Sequence, residues 1–216
     1  MENDTNMGSG YLQAYELGCR SFAKKNPEEM ANNAGCLYDK EANRLILRFL
    51  SVQYWVQYPG GEIGRADSQS VPANIKALIL HYLIYATKTE LTGTLISFLE
   101  VRGGGETYYP VFQKRAELPL QKTFGLNPKT LIHCGLRLGG RIGNFGTASV
   151  HLPVFPNVQI TYVVWQEEDE LPSSAAILFD SSINDYLPCE DIVLAASLGV
   201  YALIYELQRQ LDSITK

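Results

Sequence analysis

Apolar positions three and four apart open the chain. Tyr11, Tyr15, Gly18, Cys19 and Phe22 fall on one face of an amphipathic helix over residues 10–25. Asn26-Pro27-Glu28-Glu29 then supplies an N-cap, a proline at the first helical position and two first-turn acids, so a short helix is expected to stop near Gly35. From Cys36 the period changes. Cys36–Tyr38, Arg44–Leu50 and Val52–Tyr58 alternate and are rich in aromatics, which predicts an antiparallel meander closed by Pro59-Gly60-Gly61. Residues 73–87 are apolar nearly all round, as in a helix buried on more than one side.

The second half repeats these signals in a different order. Thr94–Glu100 reads as a short strand ended by Gly103-Gly104-Gly105, followed by two helical pieces, Tyr108–Glu117 and Pro119–Phe124. Asn127-Pro128 starts a helix that ends at Gly139-Gly140. Strands follow at 147–152, 158–165 and 175–180, and Pro188 opens a final helix to about Leu211. Helices and strands do not alternate regularly. The expected fold is therefore α+β, with a flexible N-terminus over 1–9 and a single domain over 10–216. In that domain a largely antiparallel sheet packs against several helices, including the long C-terminal one.

Composition narrows the function classes. A hydrophobic fraction of 46% supports a sizeable core, and a net charge of −5 argues against general nucleic-acid binding. The basic groups Lys24-Lys25, Lys114-Arg115 and Arg137 with Arg141 are short and read as solvated faces. The longest apolar-rich run, Ile192–Tyr205, has 14 residues, short of the roughly 20 that span a bilayer. The polar start lacks an apolar signal segment, so a soluble cytoplasmic protein is expected. Cys19, Cys36, Cys134 and Cys189 share no close spacing and read as small buried hydrophobes, with no zinc or iron–sulfur loop.

Candidate chemistry gathers between Val163 and Tyr205. Glu167, Glu168, Asp169 and Glu170 follow the strand end at Trp165; with Asp180 they offer oxygen ligands for Mg²⁺ or Ca²⁺, or simply a solvated loop without EF-hand spacing. Asp180 ends an apolar strand before Ser181-Ser182. It reads either as a site acid whose pKa burial raises, or as an acceptor for backbone groups of the turn before Ile183. Glu190 and Asp191 suit a helix start. His81, His133 and His151 are scattered: His81, beside Tyr82, reads as a core histidine with a site role as the alternative. His133 and Cys134 point in directions about 100° apart on a helix, against a Cys–His pair. Gly139–Gly146 follows a helix and precedes a strand, the reverse of a phosphate loop, and reads as a C-cap leading into a hairpin-like turn.

A series of short motifs runs in order through the chain. Leu80-His81-Tyr82-Leu83, Ile96-Ser97-Phe98, Phe124-Gly125 with Asn127-Pro128, Gly139-Gly140, Phe155-Pro156 and Trp165 with its acids are followed by Ile177–Ser182, Tyr186-Leu187-Pro188 and Glu190-Asp191. The series resembles the prokaryotic family catalogued as domain of unknown function 3786, found mainly in anaerobic bacteria and archaea. The resemblance implies no established activity and assigns no catalytic residue or cofactor. Some relatives look linked to corrinoid-dependent one-carbon metabolism or carry an iron–sulfur domain, which makes a protein partner in anaerobic metabolism an expectation. The family tends to place an aspartate where this chain has Gly146-Thr147, so no catalytic acid carries over there. The leading reading is a cytoplasmic accessory or binding protein without a metal site of its own. The alternative is a small-molecule- or metal-binding enzyme with a pocket near Trp165, Asp180 and His81, beside Tyr82. A third reading is a homodimer formed through helices 73–87 and 190–211.

Overall fold

The computed structural model describes residues 2–168 and 171–214. The chain forms two compact units: residues 1–90 with 155–157 and 185–187, and residues 91–154 with 158–184 and 188–216. The α+β class, the antiparallel pairing and the long C-terminal helix are as the sequence predicts. The strands divide over two sheets rather than one.

In the first unit α1 (Glu2–Phe22) packs on α3 (Ala73–Tyr85), and α2 spans Pro27–Ala34. The Asn26 side chain accepts from the backbone of Glu28 and Glu29, and Gly35 ends α2 in the left-handed region at φ 64°. The meander is β1 (Leu37–Asp39), β2 (Arg44–Phe49), β3 (Val52–Gln57) and β4 (Ile63–Arg65), paired in chain order. Leu45, Leu47 and Phe49 alternate inward with Tyr54 and Val56, while Arg44, Ile46 and Arg48 face the other side. β4 was not legible as a strand. It has three residues, and its Gly64 lies under the Trp55 indole, where a Cβ would approach the ring to 2.2 Å.

The second unit holds a five-stranded sheet in the order β5-β9-β8-β7-β6. These strands are β5 (Leu95–Ser97), β6 (Arg141–Ile142), β7 (Ala148–Phe155), β8 (Val158–Trp165) and β9 (Ser174–Asp180). α6 (Pro128–Arg137) and α7 (Cys189–Ile214) pack together in this unit. On the helix side of β8, the Tyr162 hydroxyl donates to the Ala196 carbonyl of α7 at 3.1 Å. That contact requires Gly199, because a Cβ there would sit 1.9 Å from the Tyr162 oxygen. α7 also runs past Glu206, which the apolar pattern treats as a boundary. This glutamate is buried against the guanidinium of Arg137, with Arg209 at 3.2 Å, so its charge enters with its partners.

The two helical pieces expected around Pro119 are one continuous segment. α4 (Gly105–Phe112) passes through a π-helical stretch, Gln113–Glu117, into α5 (Leu118–Phe124). The Leu118 N–H reaches back to the Gln113 carbonyl, and this wider turn accommodates a proline that cannot donate and would crowd a regular helix. Gly199→Ala is expected to overpack the Tyr162 contact and destabilise the protein by about 1–3 kcal/mol, read as a lower urea midpoint at unchanged slope.

Candidate functional site

β8 carries one large side chain to the surface. Its residues from Ile160 to Val164 are buried on both faces of the sheet, and Trp165 is the first to emerge, at 42% exposure. Behind it the loop before β7 approaches through Gly146, at φ 60°. A Cβ at that position would lie 2.7 Å from the Val164 carbonyl and 2.8 Å from the Val163 side chain. Thr147 closes the seam, donating its N–H to the Val164 carbonyl at 2.9 Å and accepting the Gln166 N–H on its hydroxyl at 3.0 Å. Glycine at 146 thus serves close backbone approach.

After Gln166 the chain turns back. Glu168 and Leu171 exchange reciprocal backbone hydrogen bonds of 3.1 and 2.7 Å. The returning segment is pinned by Gln121 of α5, whose amide donates to the Ser173 carbonyl. Thr147, Trp165, Gln166, Glu168, Leu171, Pro172 and Ser174 line an open cleft of about 380 Å³. Its volume is in the range of ligand pockets. Asp169 and Glu170 of the acidic run lie outside the described residues. The cleft combines an indole, an apolar wall from Leu171 and Pro172, and one ionisable lining side chain among the described residues, Glu168. This set suits binding. Paired acid–base work or activation of a nucleophile needs a second ionisable group within hydrogen-bond reach.

The structure does not bring Trp165 and Asp180 together. Trp165 pairs with Ser174 at one end of β9 and Asp180 ends the other, six residues and about 20 Å away along the strand. Asp180 is 7% exposed. Its Oδ1 accepts from the Thr92 N–H and hydroxyl, both at 3.1 Å, and from the Ser182 N–H and hydroxyl at 3.0 and 2.7 Å. Its Oδ2 accepts from the Gly93 N–H at 2.8 Å. Burial alone would raise its pKa, but these donors outweigh burial and hold it below its ordinary 3.8. The expectation of a raised pKa is corrected on this ground. Asp180 ties the turn after β9 to the segment entering β5, with its lone pairs engaged.

His81 and Tyr82 belong to the first unit, on α3. Tyr82 is fully buried, stacks on Phe155 at 4.1 Å, donates to the Ala34 carbonyl at 2.7 Å and accepts from the Asn157 N–H at 3.2 Å. Those contacts make it a core tyrosine, and burial pushes its pKa up. His81 is half-buried with its ring 5.9 Å from Tyr85, and Gly18 of α1 packs beside it. His133 is exposed while Cys134 is buried, as helical geometry requires. His151 accepts or donates at 2.8 Å to Thr161, and desolvation followed by Arg141 lowers its pKa. Tyr108 donates to Glu190 at the start of α7.

Glu117 escaped the sequence reading. It is half-buried in the π-helical stretch, where it accepts from the Tyr109 hydroxyl at 3.1 Å and from the Ile177 N–H on β9. Burial raises its pKa against those bonds. β5 pairs only with Leu178–Asp180, so Glu117 and Gln121 cover the part of the β9 edge that β5 leaves open. The π-helical stretch between Tyr109 and Glu117 breaks the 3.6-residue period, so the pair gives no helical signal.

Together these features define an α+β protein with an open aromatic cleft and internally engaged carboxylates. The chain belongs to the family described as Domain of unknown function (DUF3786), whose profile matches residues 26–202. Neither the curated proteins nor the solved structures give a match. Among the described residues no group of three or more His, Cys, Asp or Glu side chains is placed to hold a metal ion, and no helix is long and apolar enough to cross a membrane.

Asp180→Asn turns an amide donor toward one of the five donors and is expected to cost about 1–3 kcal/mol at neutral pH. Because the folded pKa is lowered, the charge contributes fully above the unfolded value near 3.8 and its contribution fades as pH falls through the folded pKa. Urea unfolding at several pH values should therefore show the wild-type advantage flat above about pH 5 and shrinking below pH 4.

Proposed function

We propose that this protein acts by binding, as an accessory to another protein, and that the cleft beside Trp165 is its contact surface. The observation that carries this reading is that Trp165 and Leu171, 42% and 70% exposed, line the same cleft, on backbone that β8, Thr147 and Gln121 hydrogen-bond into place. Large apolar groups placed in water on well-supported backbone lower their free energy when a partner covers them. The carboxylate that stood out in the sequence, Asp180, is engaged in holding a turn, so it does not compete as a ligand site. The finer reading is a cytoplasmic protein serving a corrinoid or iron–sulfur enzyme of anaerobic one-carbon metabolism, and it rests on the family resemblance. A photo-crosslinking residue placed at Leu171 is expected to give a discrete adduct in cells. The same residue at Leu37, also exposed but on β1, should not. Equal labelling from both positions, or none from position 171, would remove the cleft as the contact surface.

Self-association is a second reading, favoured by Tyr201 and Tyr205, which stand exposed one helical turn apart on α7. On α3, Leu78, Ile79, Leu80, Tyr82 and Leu83 are buried and only Tyr85 among its large apolar side chains stands exposed, so α7 offers the larger apolar face. Sedimentation at high concentration should show a dimer that Tyr201→Glu/Tyr205→Glu converts to monomer. A wild-type monomer would end this reading.

A further inference from the structure

We infer that the occupant of the Trp165 cleft is a basic segment of a partner protein, carrying lysine or arginine next to an apolar residue. The inference rests on the proposed binding role and adds the chemistry of the partner. The cleft has the volume of a ligand pocket but is open to solvent, with Trp165 and Leu171 at 42% and 70% exposure, and a protein segment covers such a surface along its length. Charge selects the kind of segment. Glu168 lines the cleft and Glu167 is exposed beside it, so two carboxylates stand in water next to the indole. The face of an indole is the negative part of its quadrupole and attracts a lysine or arginine head group, and a neighbouring carboxylate draws the same head group. The long stem of such a residue lies on apolar surface, here supplied by Leu171 and Pro172. An acidic segment would meet like charge at both Glu167 and Glu168.

The test follows Trp165 fluorescence as the difference between the wild type and Trp165→Phe, since the chain has two tryptophans. Three capped hexapeptides are titrated, alternating leucine with lysine, with glutamate or with serine. The lysine peptide should give a saturable change that is absent in Trp165→Phe. Binding should weaken roughly tenfold in Glu167→Gln/Glu168→Gln and also in about 0.5 M salt. Both substituted glutamates are exposed, so that variant should keep the wild-type circular dichroism. Equal binding of the serine or glutamate peptide overturns the inference while leaving the binding role intact. Tetramethylammonium chloride matching the peptide at equal concentration also overturns it, in favour of a small-cation site. If no peptide acts but crosslinking at Leu171 still yields its adduct, the partner is not basic. If both fail, the cleft is not a binding surface.

Discussion

The second unit depends on a strand with no solvent face. β8 lies between β7 and β9, and from Ile160 to Val164 neither its edges nor its sides meet water. A strand in that position must pair its backbone groups within the sheet and present shapes that both covering layers can accept. Tyr162 makes the tightest of these fits, its hydroxyl satisfied by an α7 carbonyl at the place where Gly199 leaves room. Trp165 emerges where that burial ends. The backbone that carries it is therefore continuous with the core beneath it.

Acidic groups in this protein are used in distinct ways that follow from their surroundings. Asp180 is surrounded by five donors and kept ionised. Glu117 covers an open strand edge where burial raises its pKa. Glu206 is buried with two arginines nearby, so its charge is matched where it is desolvated. Glu167 and Glu168 remain in water at the cleft. Carboxylates that looked equivalent along the chain thus divide into three that stabilise the fold and an exposed pair free to act outward.

Much of the architecture is legible in the sequence. The Asn26-Pro27 start, the Gly35 stop and the meander from Cys36 follow from local rules that tertiary packing reinforced. The turn role of Asp180 was also readable, from a carboxylate followed by two serines. What failed had a common cause. β4 and β6 are too short for alternation to show, and the π turn before Pro119 breaks the 3.6-residue period that a helix search relies on. The expected convergence of Trp165 and Asp180 treated residues fifteen apart as neighbours. They lie on adjacent antiparallel strands, at ends of the pair separated by the length of β9.

The sequence by itself determined the class of fold, the kinds of element and most of their ends, because caps, prolines and periodicity act over a few residues. It also determined that four acids follow one tryptophan. Only the tertiary structure decided that Trp165, Glu167 and Glu168 face water. Exposure depends on which layers cover a strand and where its neighbours stop, and the residues that do the covering, such as Gly146, Gln121 and Glu117, come from distant parts of the chain.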